Sequence, residues 1–146
     1  MSVFDYGYFT SIELWIFFIF CFAAIDRWYL RNGTVTLFDI DDIKCSDDFV
    51  MFGLAYESNQ RFIKSELCYS IRDMNNPTTV ISGKTRTLDF AKKGMNNEFL
   101  LIKKNLLTNG DWIVDVKVTT TGSRINPFHK IFPIETHLQK QVEIKL

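Results

Sequence analysis

Asn109-Gly110-Asp111-Trp112-Ile113-Val114-Asp115-Val116-Lys117-Val118 decides the fold class. Asn-Gly is a turn signal, and the residues after it alternate with a period of two. Trp112, Val114, Val116 and Val118 face one way, while Ile113, Asp115, Lys117 and Thr119 face the other. One face is wholly apolar and the other mixed. That is the pattern of a strand lying on a core with its back to solvent.

The same reading extends in both directions. Downstream, 122–133 is a loop holding Pro127 and Pro133. Glu135–Leu146 then alternates, with Leu138, Val142, Ile144 and Leu146 interleaved among His137, Gln139, Gln141, Glu143 and Lys145. Upstream, Thr34–Ile40 is β-rich, and Phe49–Tyr56 is a continuous apolar run of strand length, suited to a central strand. In Phe62–Asp73, Ile63, Leu67, Tyr69 and Ile71 share a face opposite Lys64, Glu66, Ser70 and Arg72. Met74-Asn75-Asn76-Pro77 breaks the chain, Thr78–Ser82 is a short strand closed by Gly83, and Glu98–Ile102 is another strand. A turn or two of helix fits Leu88–Met95. About seven short antiparallel strands need a second layer, so the expectation is a two-sheet sandwich, with a small β-barrel as the alternative. The phrase Leu106–Val118 resembles the penultimate strand of immunoglobulin-like sandwiches, where a Gly turn leads into an aromatic and alternating Val. That resemblance implies an immunoglobulin-like β-sandwich over residues 31–146.

The first 31 residues differ in kind. Leu14–Ile25 is an uncharged run of Trp, Phe, Ile and Ala, and the polar residues concentrate after it. As a helix, those twelve residues rise only ~18 Å. Thr10-Ser11-Ile12-Glu13 fits a capping box that starts a helix at Ser11 and sets Glu13 in its first turn. Extended to Leu30, the helix reaches ~30 Å, the thickness of a hydrocarbon core. Tyr6, Tyr8 and Trp15 bracket one end, Trp28 and Tyr29 the other, as in the aromatic belts at membrane interfaces. Arg27 and Arg31 are placed to snorkel outward. The sequence therefore predicts a short tail (1–10), a single transmembrane helix (11–30) and the β-sandwich (31–146). The membrane-interface residues are Tyr6, Tyr8, Glu13, Trp15, Arg27, Trp28, Tyr29 and Arg31. A cleaved signal peptide fits less well, because no Lys or Arg precedes Arg27. Arg27 and Arg31 after the span favour a cytoplasmic domain. The usual placement of anchored sandwiches favours the outside, and the expectation leans that way.

Composition and motifs exclude much else. The chain has 146 residues with 17 Lys+Arg against 17 Asp+Glu, so net charge gives no handle on nucleic acid. The length suits one domain of ordinary size. Cys21, Cys45 and Cys68 form no C-x-x-C pair; free thiols are the simple reading, with a Cys45–Cys68 bridge as the alternative. His129 and His137 lack compact metal-ligand spacing, and no G-x-S-x-G, H-E-x-x-H or P-loop is present. Asp39–Asp48 holds five carboxylates in ten residues and reads as a solvated loop, with calcium binding as its functional alternative. Asn32-Gly33-Thr34 matches a glycosylation sequon. No catalytic residue, metal, cofactor or small-molecule substrate is predicted.

The function expected is thus a non-enzymatic single-pass membrane protein. Its membrane-proximal sandwich would be an interaction or assembly subunit of a membrane or envelope complex, with the bilayer and other membrane proteins as partners. A membrane-tethered ligand-binding or sensor domain is the alternative.

Overall fold

The computed structural model describes residues 11–31, 35–58, 64–88, 92–121 and 131–146. Helix α1 spans Ser11–Arg31. Eight strands follow among the described residues: β1 (Val35–Cys45), β2 (Phe49–Ser58), β3 (Lys64–Asp73), β4 (Val80–Ser82), β5 (Arg86–Thr87), β6 (Gly94–Lys103), β7 (Gly110–Thr121) and β8 (Ile134–Ile144). A 3-10 turn at Lys104–Leu106 leads from β6 toward β7.

The strands form two antiparallel sheets. One has the order β1-β2-β6; the other runs β4-β3-β7-β8, with β5 also on the outer edge of β3. Both bury one face, as the alternation requires. Val50, Phe52, Leu54 and Tyr56 of β2 meet Leu67, Tyr69 and Ile71 of β3 and Trp112, Val114, Val116 and Val118 of β7 in a single core. Each such side chain contributes roughly 1.5–3 kcal/mol on burial. Trp112 is 1% exposed, and its indole N–H donates to the Thr108 carbonyl at 2.9 Å, so the largest ring carries no orphan donor. The fold is thus mainly β with two packed antiparallel sheets, as the alternation in Trp112–Val118 predicts.

Several local expectations are corrected. The acidic stretch is strand as far as Cys45, where β1 pairs with β2 through register shifts at Leu37/Asp39 and Asp41/Lys44, and only residues 46–48 form the expected turn. Those shifts are bulges that re-aim side chains. Gly94 and Met95 already belong to β6, which is twice as long as the apolar run Glu98–Ile102 suggests. A helix over Leu88–Met95 is not formed by the described residues of that stretch. Leu146 is 40% exposed rather than in the core.

The two side seams of the sandwich differ. Between β1 and β8 it is closed by polar bonds. Lys140 Nζ donates to Asp39 at 2.8 Å, to the Ile40 carbonyl at 2.7 Å and to Asp41 at 3.1 Å. Thr136 Oγ1 donates to the Val35 carbonyl at 3.3 Å. At the other seam, Tyr69 reaches from β3 to β6. Its hydroxyl donates to the Leu101 carbonyl at 2.8 Å and accepts the Leu101 N–H at 3.3 Å.

The transmembrane reading of α1 fails. No helix among the described residues is long and apolar enough to cross a membrane. Glu13 stands near one end, and Asp26 and Arg27 interrupt the other before the helix stops at Arg31. The uncharged part between them covers ~18 Å of a hydrocarbon core of ~30 Å. The predicted single-pass anchoring falls with it. So does the choice between an inside and an outside domain.

Candidate interaction site

Helix α1 begins with an acidic residue in its first turn, Glu13, which complements the helix dipole. Its body is apolar on every side. Trp15, Phe18, Phe22 and Ile25, spaced for one face, are 62–70% exposed. On other faces Ile12, Phe17, Ile19 and Phe20 are 57–68% exposed. None of the described side chains of the helix belongs to the buried core. A helix that is hydrophobic all round is normally covered by something else. Exposed apolar surface of this extent is rarely left uncovered on a soluble monomer.

One end of α1 touches the sandwich. The Arg27 guanidinium donates to the Phe132 carbonyl and lies 5.8 Å from the centre of the Phe132 ring, a cation–π geometry. A small cavity of about 180 Å³ lies there between Phe20, Ala23, Ala24, Arg27 and Phe132. Ala23 and Ala24 leave room for the ring. Arg27, expected to snorkel to a membrane surface, points instead at the segment before β8. Phe132 was not among the expected site residues; it sits in a Pro-flanked loop, and nothing in the sequence ties it to residue 27.

Trp15 and Trp28 are 70% and 68% exposed, at opposite ends of α1. Tyr6 and Tyr8 lie outside the described residues, as does Thr10 of the capping box. Tyr29 and Arg31 fall within the helix, but their side chains lie outside the described set. Sequon residue Asn32 and His129 also lie outside it.

The other candidates find structural partners. Asp39 and Asp41 are held by Lys140, which keeps the Asp39 carboxyl below its ordinary range by its hydrogen bond, aided by the Ile40 N–H. Among the described residues, no three His, Cys, Asp or Glu side chains gather as a metal site. All three cysteines are free, so the Cys45–Cys68 bridge is not formed. Cys45 lies near the Lys145 carbonyl and Cys68 near Thr85, 3.6 and 3.7 Å away. His137 is a half-exposed strand residue between Glu135 (3.7 Å) and Asp115 (4.0 Å) on the outer face of β7 and β8. Lys117 donates to Glu135 at 2.6 Å and holds that carboxyl below its ordinary range.

The family match runs through both parts of the molecule. The LydB model, described as a LydA-holin antagonist, matches residues 12–146, from the first turn of α1 to the end of the chain. The chain belongs to the LydB family. The family is described by its effect on a holin, which sets it beside a protein partner in a membrane context. No curated protein matches the chain. Among solved structures, the chain is similar to β-glucosidase 3B from Thermotoga neapolitana in complex with glucose. That likeness has 12% identity and a TM-score of 0.38, covering 77% of this chain and 17% of that one. A likeness so slight carries no argument about activity.

Proposed function

We propose that the chain is a non-enzymatic antagonist that binds a holin of the LydA type, with the apolar surface of α1 as the contact. The observation that carries this reading is the helix itself: aromatic on all sides, its described side chains outside the core, and too short in its uncharged part to cross a bilayer. Such a helix lowers its free energy by packing on an apolar partner, and the helices of a membrane protein offer that surface. Arg27 and Phe132 fix its C-terminal half against the sandwich, so the sandwich serves as the rigid base. We read that base as immunoglobulin-like, since the penultimate strand β7 keeps the Gly110 turn and the buried Trp112. The sandwich interior is filled by side chains that are fully buried, such as Val114, Val116 and Val118, which favours a scaffold over a ligand-binding or sensor domain.

The test is co-purification of the full chain with a detergent-solubilised LydA-type holin. The wild type is expected to co-elute, and the double variant Phe18→Asp/Phe22→Asp is expected to elute alone while keeping its β circular dichroism. Co-elution that survives both charges would overturn α1 as the contact. No co-elution of the wild type would overturn the reading as a whole.

A further inference from the structure

The open seam of the sandwich carries a second feature, distinct from α1. Between the broken edge β4–β5 and the strand β6 lies a groove of about 490 Å³. Its floor and walls are largely apolar, with Phe49, Tyr69, Ile81, Leu101, Ile102 and Leu106 along it. Three cationic residues line it as well: Lys84 and Arg86 on the β4–β5 wall and Lys103 on the β6 wall. No carboxylate is among its described lining residues. Asp47 and Asp48 line the neighbouring depression beyond Phe49.

Part of the backbone of this seam is already occupied. Both polar groups of Leu101 bond to the Tyr69 hydroxyl, and the Phe99 carbonyl accepts from Arg86 at 3.1 Å. An incoming segment therefore finds these groups taken at the centre of the groove and would bind there through its side chains. Apolar side chains fit the floor, and negative charge fits the walls. The cations stand on both walls rather than clustered at one end. Carboxylates distributed along a polypeptide match that placement better than the single headgroup of a lipid or detergent.

We propose that this groove is a docking site for an acidic, amphipathic polypeptide segment, which sets apolar side chains over Tyr69 and Leu101 and carboxylates against Lys84, Arg86 and Lys103. The site is separate from α1 and stands whether or not the helix is the holin contact.

The test uses the full-length chain and labelled probe peptides of roughly ten residues, alternating Leu with Glu or Leu with Lys, read by fluorescence anisotropy. The Leu-Glu peptide is expected to bind about tenfold more tightly than the Leu-Lys peptide, the sum of a few exposed ion pairs. Lys84→Glu/Lys103→Glu, at two exposed positions, should reverse that preference and leave the circular dichroism unchanged. Amide shifts on binding should centre on Ile81, Leu101 and Leu106. Equal binding of both peptides, an unchanged preference in the variant, or shifts elsewhere would each overturn the proposal. So would binding of dodecyl phosphate in the groove together with failure of the Leu-Glu peptide, which would make the site one for lipid anions. Phe18→Asp/Phe22→Asp, which disables α1, should leave peptide binding unaffected, so failure of one site is distinguishable from failure of the other.

Discussion

A Cβ on Gly83 would lie 2.0 Å from Cε2 and Cζ of Tyr69. The Tyr69 ring thus passes directly beneath the point where the β3-paired edge breaks between β4 and β5. Gly83 still donates its N–H to the Tyr69 carbonyl at 2.9 Å. Its lack of a side chain is what lets the ring cross to β6 and bridge the two sheets. Gly83→Ala is expected to destabilise the sandwich by ~1–3 kcal/mol, because a fully packed ring has no room to swing away. Tyr69→Phe keeps the ring and loses the hydroxyl, which leaves both Leu101 backbone groups without their partner, at a cost of ~1–3 kcal/mol. Urea denaturation followed by circular dichroism measures both. An unchanged midpoint in either variant would show that the seam does not depend on this crossing.

The clamp on the opposite seam gives a pH dependence with a definite sign. Asp39 has its pKa lowered from 3.8, chiefly by the hydrogen bond from Lys140 and then by the Ile40 N–H. A lowered carboxyl pKa contributes stability above the ordinary value that is lost as pH falls through the lowered one. Lys140 has its pKa raised from 10.5 by Asp39 and Asp41, so its share is complete below 10.5 and lost as pH rises through the raised value. Both shares are in place at neutral pH. Lys140→Met should lower the urea midpoint there. The deficit should shrink in acid once Asp39 is protonated, and in salt, since the groups are solvent-screened. A deficit that persists undiminished in acid would mean that Lys140 acts by packing alone.

Much of this architecture is legible in the residues, and the exceptions have physical causes. The faces of β3 and β7 follow from alternation because one side of each strand is wet. The Asp39–Asp48 stretch reads as a loop because carboxylates are poor strand formers. Its first part, to Cys45, is a strand because it pairs with β2, and Lys140, about a hundred positions away, holds the Asp39 and Asp41 carboxylates at the β8 seam. The aromatic bracket of α1 imitates a membrane belt, but hydropathy across a span is decided by where charges interrupt it, and Asp26-Arg27 interrupts it early. The Tyr69–Gly83 crossing and the Arg27–Phe132 contact leave no local signature, since each joins segments through tertiary packing.

The three tryptophans report on different parts of the molecule. Trp15 and Trp28 are about two-thirds exposed on α1, whereas Trp112 is 1% exposed in the core. Trp15→Phe/Trp28→Phe should leave a single blue-shifted emission resistant to iodide quenching. Trp112→Ala should cost ~3–5 kcal/mol and unfold the sandwich at low urea. Strong iodide quenching of the Trp112-only protein would contradict the packed core.

The last prediction separates scaffold from contact. No described α1 side chain belongs to the buried core, and the described link between the two includes Arg27 and Phe132 at one end of the helix. The sheets are bridged by β-strand residues: Lys140 and Thr136 at one seam, Tyr69 at the other. A chain truncated to begin at Asn32 should therefore keep its β circular dichroism and unfold at nearly the full-length urea midpoint. The exposed cation–π contact contributes only ~0.5–1 kcal/mol, and the Arg27–Phe132 hydrogen bond about 0.5–1.5 kcal/mol. The truncated chain should no longer co-elute with the holin, yet should still bind the Leu-Glu peptide. Loss of β structure on truncation would show that α1 completes the core, and its exposed aromatic surface could then not be assigned to a partner.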